Sequence, residues 1–388
     1  MRFFEGGTAK LAASALTKAA PAYVQFYITA RCNLACEQCN IIYSNADQEE
    51  CSLEDCRRIA ENLAKIGTSV VLLTGGEPFV RRDLPEICKA LIVNGIHPRV
   101  QTNGLATRRQ LEAVAQVGVK DISVSLDSLE PSTQDLINGG FDQSWGRAIR
   151  TVALINEVFP QDAFASFGCV LAPRNLLDVE GVVRFATAVG WWVSLVPAHV
   201  TRPGKPANFR TFDKALRFHS ERLPEVRAVL ERVKTLRNTG SNLYDSDEYL
   251  DDIYRFVAGE PIRWRRRNDD VCDSPYLYFA IQPNGDMAVC CDFRLPRSLR
   301  VQSSDFPRVY FGRQLREEAG AVARACTGCM YGSFPEISIS ARFLLPMLRR
   351  ARLFLGGSGQ RRLQRYSAEQ MVEIARGFRR ARDAHAMA

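Results

Sequence analysis

Short runs of β-branched and aromatic residues alternate, over the first half of the chain, with longer stretches whose apolar positions recur every three or four residues. The short runs predict strands over Tyr23–Ile28, Ser69–Leu73, Pro98–Thr102, Asp121–Leu126, Ala165–Leu171 and Trp192–Val196. The first helix between them starts at Ser52, with Asp55 placed three residues on as the second half of a capping box. Its apolar face is Leu53, Cys56, Ile59, Leu63 and Ile66, and Gly67 stops it. Further helices are predicted over Leu84–Val93, Arg108–Val117, Trp145–Val158 and Leu176–Val189. Six strands alternating with helices imply an α/β fold with a parallel sheet, either open or rolled into an incomplete barrel. In such folds the functional loops follow the C-terminal ends of the strands.

The pattern then changes. A polar, Pro-containing stretch, Thr201–Arg210, leads to a helical segment over Phe212–Thr235. A hairpin is predicted from Tyr276–Gln282 and Met287–Cys290 around the turn Pro283-Asn284-Gly285-Asp286, and Cys-rich turns follow to Cys329. The end of the chain reads as basic helical pieces broken at Gly356–Gly359. No internal repeat is visible.

Composition narrows the class. With 46% hydrophobic and 24% charged residues in 388, the chain has the balance of a globular protein. No apolar run approaches the roughly 18 residues of a membrane span. The start is not expected to be a signal peptide, because Lys10 and Lys18 interrupt its only Ala/Leu-rich stretch. The formal charge of +8 is confined to the tail: Ala341–Ala388 holds eleven Arg against three acids, and the rest is balanced. A nucleic-acid partner is therefore not expected. Twelve cysteines without an export signal point away from disulfides and toward metal or redox chemistry in a reducing cytoplasm.

The densest chemistry is Cys32-Asn33-Leu34-Ala35-Cys36-Glu37-Gln38-Cys39, spaced C-x3-C-x2-C directly after the first strand. Three thiolates on one tight loop suit an iron–sulfur cluster with one iron left open, or a zinc site with a distant fourth ligand. The second strand runs into Thr74-Gly75-Gly76-Glu77-Pro78, where glycines allow close backbone approach and Glu77 offers an acceptor for an ammonium. These two motifs, in this order, resemble the radical S-adenosylmethionine (SAM) superfamily. The resemblance implies that Cys32, Cys36 and Cys39 hold a [4Fe–4S] cluster and that Gly75, Gly76, Glu77 and Pro78 hold the SAM amino group. It also implies SAM contacts from Thr102 and Asn103 after the third strand and from Ser125 and Asp127 after the fourth, with Asn175 either near SAM or capping a helix. Gln38 departs from the aromatic residue often found before the third Cys.

A second set, Cys272, Cys290, Cys326 and Cys329, resembles the auxiliary-cluster extensions called SPASM or twitch domains. It matches the single-cluster arrangement, which implies a second [4Fe–4S] cluster; a four-Cys zinc ribbon would use similar spacing. Cys290 and Cys291 are neighbours and should point opposite ways in an extended chain, so only one ligates, and Cys290 is expected to be that one. Cys56 and Cys88 fall on apolar helix faces. His199, after the sixth strand, is expected to be an ordinary loop histidine, with substrate contact as the alternative. In the amphipathic stretch Arg342–Leu355, the Leu/Phe face is expected to pack on the body with the arginines solvated; contact with an anionic membrane is the alternative.

The implied architecture is a partial (β/α)6 TIM-like barrel (22–200) after an N-terminal helical extension (1–21). A helical linker (201–259), a small α+β twitch-like domain (260–335) and a basic helical tail (336–388) follow. The implied activity is reductive cleavage of SAM to a 5′-deoxyadenosyl radical, which takes hydrogen from a natural-product or peptide substrate for net oxidation or bond formation. Its electron would come from a donor such as flavodoxin or ferredoxin. A transferase adding a group to a small molecule or lipid, and a non-catalytic metal-binding module, are the other readings. A leader-peptide-binding domain before Tyr23 is not expected.

Overall fold

The computed structural model describes residues 14, 17–39, 49–199, 214–265, 272–326, 328–355 and 362–387. Most of the predicted N-terminal extension, the Thr201–Arg210 stretch and the Gly356–Gly359 break lie outside these residues. All six predicted strands are present within two residues of their expected ends: β1 (Tyr23–Thr29), β2 (Val70–Gly75), β3 (His97–Thr102), β4 (Asp121–Ser125), β5 (Phe164–Leu171) and β6 (Trp192–Pro197). They pair in parallel in the order 6-5-4-3-2-1. The intervening helices are α1 (Leu53–Lys65), α2 (Leu84–Val93), α3 (Arg108–Gln116), α4 (Pro131–Ile137), α5 (Ser144–Val158) and α6 (Val179–Ala188). Ser52 and Asp55 form the expected capping box at the start of α1. On β1, Val24, Phe26 and Ile28 pack into the main core, while Tyr23, Gln25 and Tyr27 line the interior of the sheet's curve. Of the two forms that the alternation left open, this is the rolled, incomplete barrel that the family resemblance implied.

Beyond the barrel, α7 (Leu223–Asn238) starts later than predicted, with Pro224 in its first turn, and α8 (Asp247–Ala258) is a separate helix capped by Ser246. The hairpin is β7 (Tyr278–Ile281) with β8 (Met287–Ala288), shorter than the sequence suggested. β7 pairs in parallel with β1, from Tyr23 opposite Tyr278 to Phe26 opposite Ile281, so the hairpin extends the barrel sheet to eight strands. α9 (Phe306–Tyr310), α10 (Arg313–Ala325), α11 (Ser333–Arg342), α12 (Leu344–Leu355) and α13 (Ala368–Met387) complete the chain.

Between Arg342 and Arg350 the expected packing of the tail's faces holds for Phe343, which packs on the core, and fails for the leucines and arginines. The side chains of 351–355 lie outside the described residues. Leu344, Leu345 and Leu348 are 67%, 53% and 51% exposed, whereas the Arg342 side chain is 4% exposed and bridges to Asp273 at 2.9 Å. Arg350 pairs with Glu336 at 2.7 Å and lies over the Tyr244 ring. Arg349 reaches Asp247, and in α13 Arg379 and Arg382 pair with Glu130 and Asp178. The reason is electrostatic. The body presents carboxylates on this face, and leaving them desolvated without a cation costs more than exposing three leucines.

Asp245 belongs to that cluster. Its carboxylate accepts from Ser194 Oγ at 2.7 Å and Leu195 N at 2.6 Å. Burial first, and the Glu336 charge second, push its pKa up to about 7. A raised carboxyl pKa means that the folded state prefers the protonated form. The stability it contributes is therefore full below the unfolded value near 4 and lost as pH rises through about 7. Denaturant midpoints at pH 5 and pH 8 should show this loss, on the order of 2 kcal/mol, and Asp245→Asn should flatten it. An unchanged pH difference in the variant would remove the assignment.

Candidate active site

The rim of the barrel is built where β1 and β2 end side by side. Gly76 N donates to Thr29 O at 2.8 Å and Glu77 N to Arg31 O at 2.9 Å, extending the parallel ladder past the strands. A Cβ on Gly75 would stand 2.1 Å from Thr29 O, and one on Gly76 would stand 2.0 Å from Arg31 O. The two glycines are thus required by the backbone that leads into Cys32. Glu77 is also spent inside the protein: its carboxylate accepts from Phe79 N, Thr102 Oγ1 and Asn103 N at 3.0, 2.9 and 2.6 Å. Burial raises its pKa to about 7. The side chain anticipated as an ammonium acceptor thereby ties the β3 loop to the β2 loop. Pro78 is buried and opens a short helical turn behind it.

The Cys32–Cys39 loop lies over a cavity of about 320 Å³ that runs down the barrel. Cys32, Cys36 and Cys39 all line it, with Gly75, Gly76, Thr102, Asn103, Ser125 and Asp127. Asn103 donates to Asn33 Oδ1 at 2.7 Å and points toward Cys32 Sγ at 3.8 Å. Burial and the neighbouring Cys39 push the Cys36 thiol up, and burial does the same to Cys32. Asp127 accepts from Val170 N at 2.6 Å and from Gln38 at 2.9 Å, and burial raises its pKa to about 6. Gln38 therefore braces β4 from the cysteine loop. Asn175 neither enters the cavity wall nor caps its helix; its amide donates to Asp127 O and Val170 O at 2.7 and 2.8 Å.

One support went unread in the sequence. α4 ends at Ile137, whose carbonyl accepts from Glu37 N at 3.0 Å, and Cys36 Sγ sits 3.6 Å from Asn138 Oδ1. Gly139 follows at φ +82°, where a Cβ would be 2.5 Å from Ala35 O. The available signal was Pro131 at a helix start and a Gly-Gly pair after its end.

The second cysteine set also meets. Cys272, Cys290, Cys326 and Cys329 line one small apolar pocket with Trp264, Phe293 and Phe334. Cys291 does not; its thiol donates to Gln25 Oε1 at 3.5 Å in the wall of the main cavity. Backbone N–H groups two residues on aim at three of the sulfurs: Leu34 at Cys32, Asp292 at Cys290 and Gly328 at Cys326, at 3.3–3.4 Å. Such donors favour thiolate, the form a metal needs. Soft sulfur donors in sets of three and four fit iron–sulfur clusters, although among the described residues no three His, Cys, Asp or Glu are arranged to hold a single metal ion. His199 Nε2 accepts from Met330 N at 3.0 Å, and its ring stacks on Tyr331 at 3.6 Å. It fastens the loop after Cys329 to the end of β6 and lines the main cavity.

The sequence profile of the radical SAM superfamily matches residues 26–186, the span from β1 to α6 that builds this rim. The chain carries a radical SAM domain. Among similar proteins, the Fe-coproporphyrin III synthase of Methanosarcina barkeri is 33% identical over 271 residues, 66% of this chain and 58% of that protein. The PqqA peptide cyclase of Ruegeria pomeroyi is 29% identical over 177 residues, 45% of this chain and 46% of that one. This chain thus spans about half the length of these two relatives. In fold, the radical SAM domain and the segments C-terminal to it resemble Streptococcus suis SuiB bound to S-adenosylmethionine, with TM-score 0.61 at 18% identity over 79% of this chain and 68% of that one. No described helix is long and apolar enough to cross a membrane.

Proposed function

We propose that this chain is a radical SAM enzyme that abstracts hydrogen from a small natural-product or peptide substrate and completes a net oxidation or bond formation. The supporting observation is the placement of Cys32, Cys36 and Cys39 together on the wall of the cavity that runs into the barrel. A [4Fe–4S] cluster carrying SAM on its open iron would supply one-electron cleavage to a 5′-deoxyadenosyl radical. The residues then divide the work. The three thiolates hold the cluster. The Gly75–Glu77 backbone, Thr102, Asn103, Ser125 and the Asp127 loop form the ledge on which SAM is oriented. Leu72, Val170 and Val196 give the cavity an apolar share that keeps water from the reacting carbon.

Cys272, Cys290, Cys326 and Cys329, which line one pocket, would hold a second cluster through four protein ligands. Such a cluster would supply one-electron acceptance from a substrate radical rather than a substrate site. Electrons enter from a small carrier such as a flavodoxin or ferredoxin in a reducing cytoplasm. A peptide substrate draws support from the similarity to a protein named as a peptide cyclase.

Anaerobic reconstitution followed by incubation with SAM and a reductant tests this reading. The full chain should bind about eight iron and release 5′-deoxyadenosine, and Cys36→Ala should release none. No 5′-deoxyadenosine from the intact protein, or an equal yield from the variant, refutes it. A loss of two hydrogens in a converted substrate means oxidation; a gain in mass means group transfer.

A further inference from the structure

The lower half of the main cavity is not packed as a barrel interior usually is. Inward positions of such barrels are normally filled by bulky branched residues in layers. Here Tyr23, Leu72 and Tyr244 supply bulk, but Gln101, Ser123, Gly168 and Ser194 are small or polar, with Arg99 beneath. Gly168 is the telling position. It sits mid-strand in β5, its backbone is not in the left-handed region, and a Cβ there would meet nothing nearer than Gln101 Nε2 and Ser123 Oγ, both at 3.9 Å. Neither backbone conformation nor packing requires glycine, and its effect is to leave open the space beside Gln101 and Ser123.

Arg99 supplies the charge. Its side chain is 14% exposed; Nη2 donates to Ser166 Oγ at 2.7 Å, and the guanidinium rests on the Phe164 ring. Nε lies 3.4 Å from Asp121 Oδ1, an atom that makes no hydrogen bond, so the pair is a loose ion contact rather than a bidentate clamp. The one carboxylate in the described cavity wall, Asp127, is engaged by Val170 and Gln38. The Arg99 guanidinium, the Gln101 amide and the Ser123 hydroxyl around an open space match the oxygens of a carboxylate, while the Ser194 proton is held by Asp245.

We propose that Arg99, with Gln101 and Ser123 around Gly168, is the specificity-determining subsite for a carboxylate group on the substrate. The proposal rests on the radical SAM reading for the identity of the cavity as the reaction chamber. Calorimetry on the reconstituted, SAM-loaded full chain tests it with three probes: glutarate, glutaric diamide and inorganic phosphate. Glutarate should bind at least about tenfold more tightly than the diamide, and Arg99→Gln should erase that preference. Gly168→Val, which fills the open space without touching the charge, should weaken glutarate by a similar factor in protein that keeps its iron content and thermal transition. If Arg99→Gln does not fold, the Gly168→Val result decides. Equal binding of glutarate and diamide, an unchanged preference in Arg99→Gln, undiminished glutarate binding in Gly168→Val, or a preference for phosphate overturns the assignment. Failure of the parent protein to make 5′-deoxyadenosine would instead strike the enzymatic reading, whatever the calorimetry shows.

Discussion

Cys290→Ala, reconstituted anaerobically, should hold about four iron per chain where the parent holds about eight, while Cys291→Ala should hold the full complement. β8 ends at Ala288 and the two cysteines follow it in a bend, yet their side chains still lead to different compartments. Cys290 faces the pocket it shares with Cys272, Cys326 and Cys329, and its sulfur accepts from Asp292 N at 3.4 Å. Cys291 faces the main cavity beside Gln25 and Tyr27. A zinc ion in the four-Cys pocket would instead give about four iron in the parent and about one zinc in place of the rest. Iron and zinc counting on parent and variants separates these cases. Loss of iron in Cys291→Ala with retention in Cys290→Ala would reverse the ligand assignment.

The second large effect is expected from a single methyl group. Gly76→Ala places a Cβ 2.0 Å from Arg31 O and 2.5 Å from Arg31 C. Both obstacles are backbone, so no side chain can swing aside. The β2 end must separate from the Thr29–Arg31 segment and give up the two ladder bonds from Gly76 N and Glu77 N. Overpacking of this kind costs about 3 kcal/mol or more where the neighbour cannot move. Because Cys32 follows Arg31 directly, the displacement should also reach the cluster, and iron binding to the first centre should fall with the denaturation midpoint. Gly146→Ala is the control: it lies in α5, meets nothing within 4 Å, and should be neutral or mildly stabilising. Equal behaviour of the two variants would show that the close approach at Gly76 is not a constraint.

The barrel was legible because its signals are local. Each strand is a short apolar run bounded by polar or Gly-containing turns, and the α1 start is written in Ser52 and Asp55 within one turn of helix. Residues whose position follows from motif spacing also reached the cavity. What was not legible depends on distant partners. The roles of Glu77, Asn175 and His199 are set by backbone groups contributed from other segments: Asn103 for the first, Asp127 and Val170 for the second, and Met330 for the third. The described start of the tail, Phe343 apart, was misread for a related reason. Helical periodicity shows that Leu and Arg occupy opposite faces but not which face the body needs, and buried Glu336 and Asp273 decided that in favour of arginine.

The pairing of β1 has a consequence for how the chain is made. Tyr23 lies opposite Val70 on one side and opposite Tyr278 on the other. During synthesis the strand that feeds the cysteine loop can dock on its early neighbour, but its other edge must wait for the ribosome to deliver the distant β7 segment. Until then its N–H and C=O groups are open to any stray strand. Nascent chains stalled before Tyr278 should accordingly aggregate through β1, and those released after Ile281 should not.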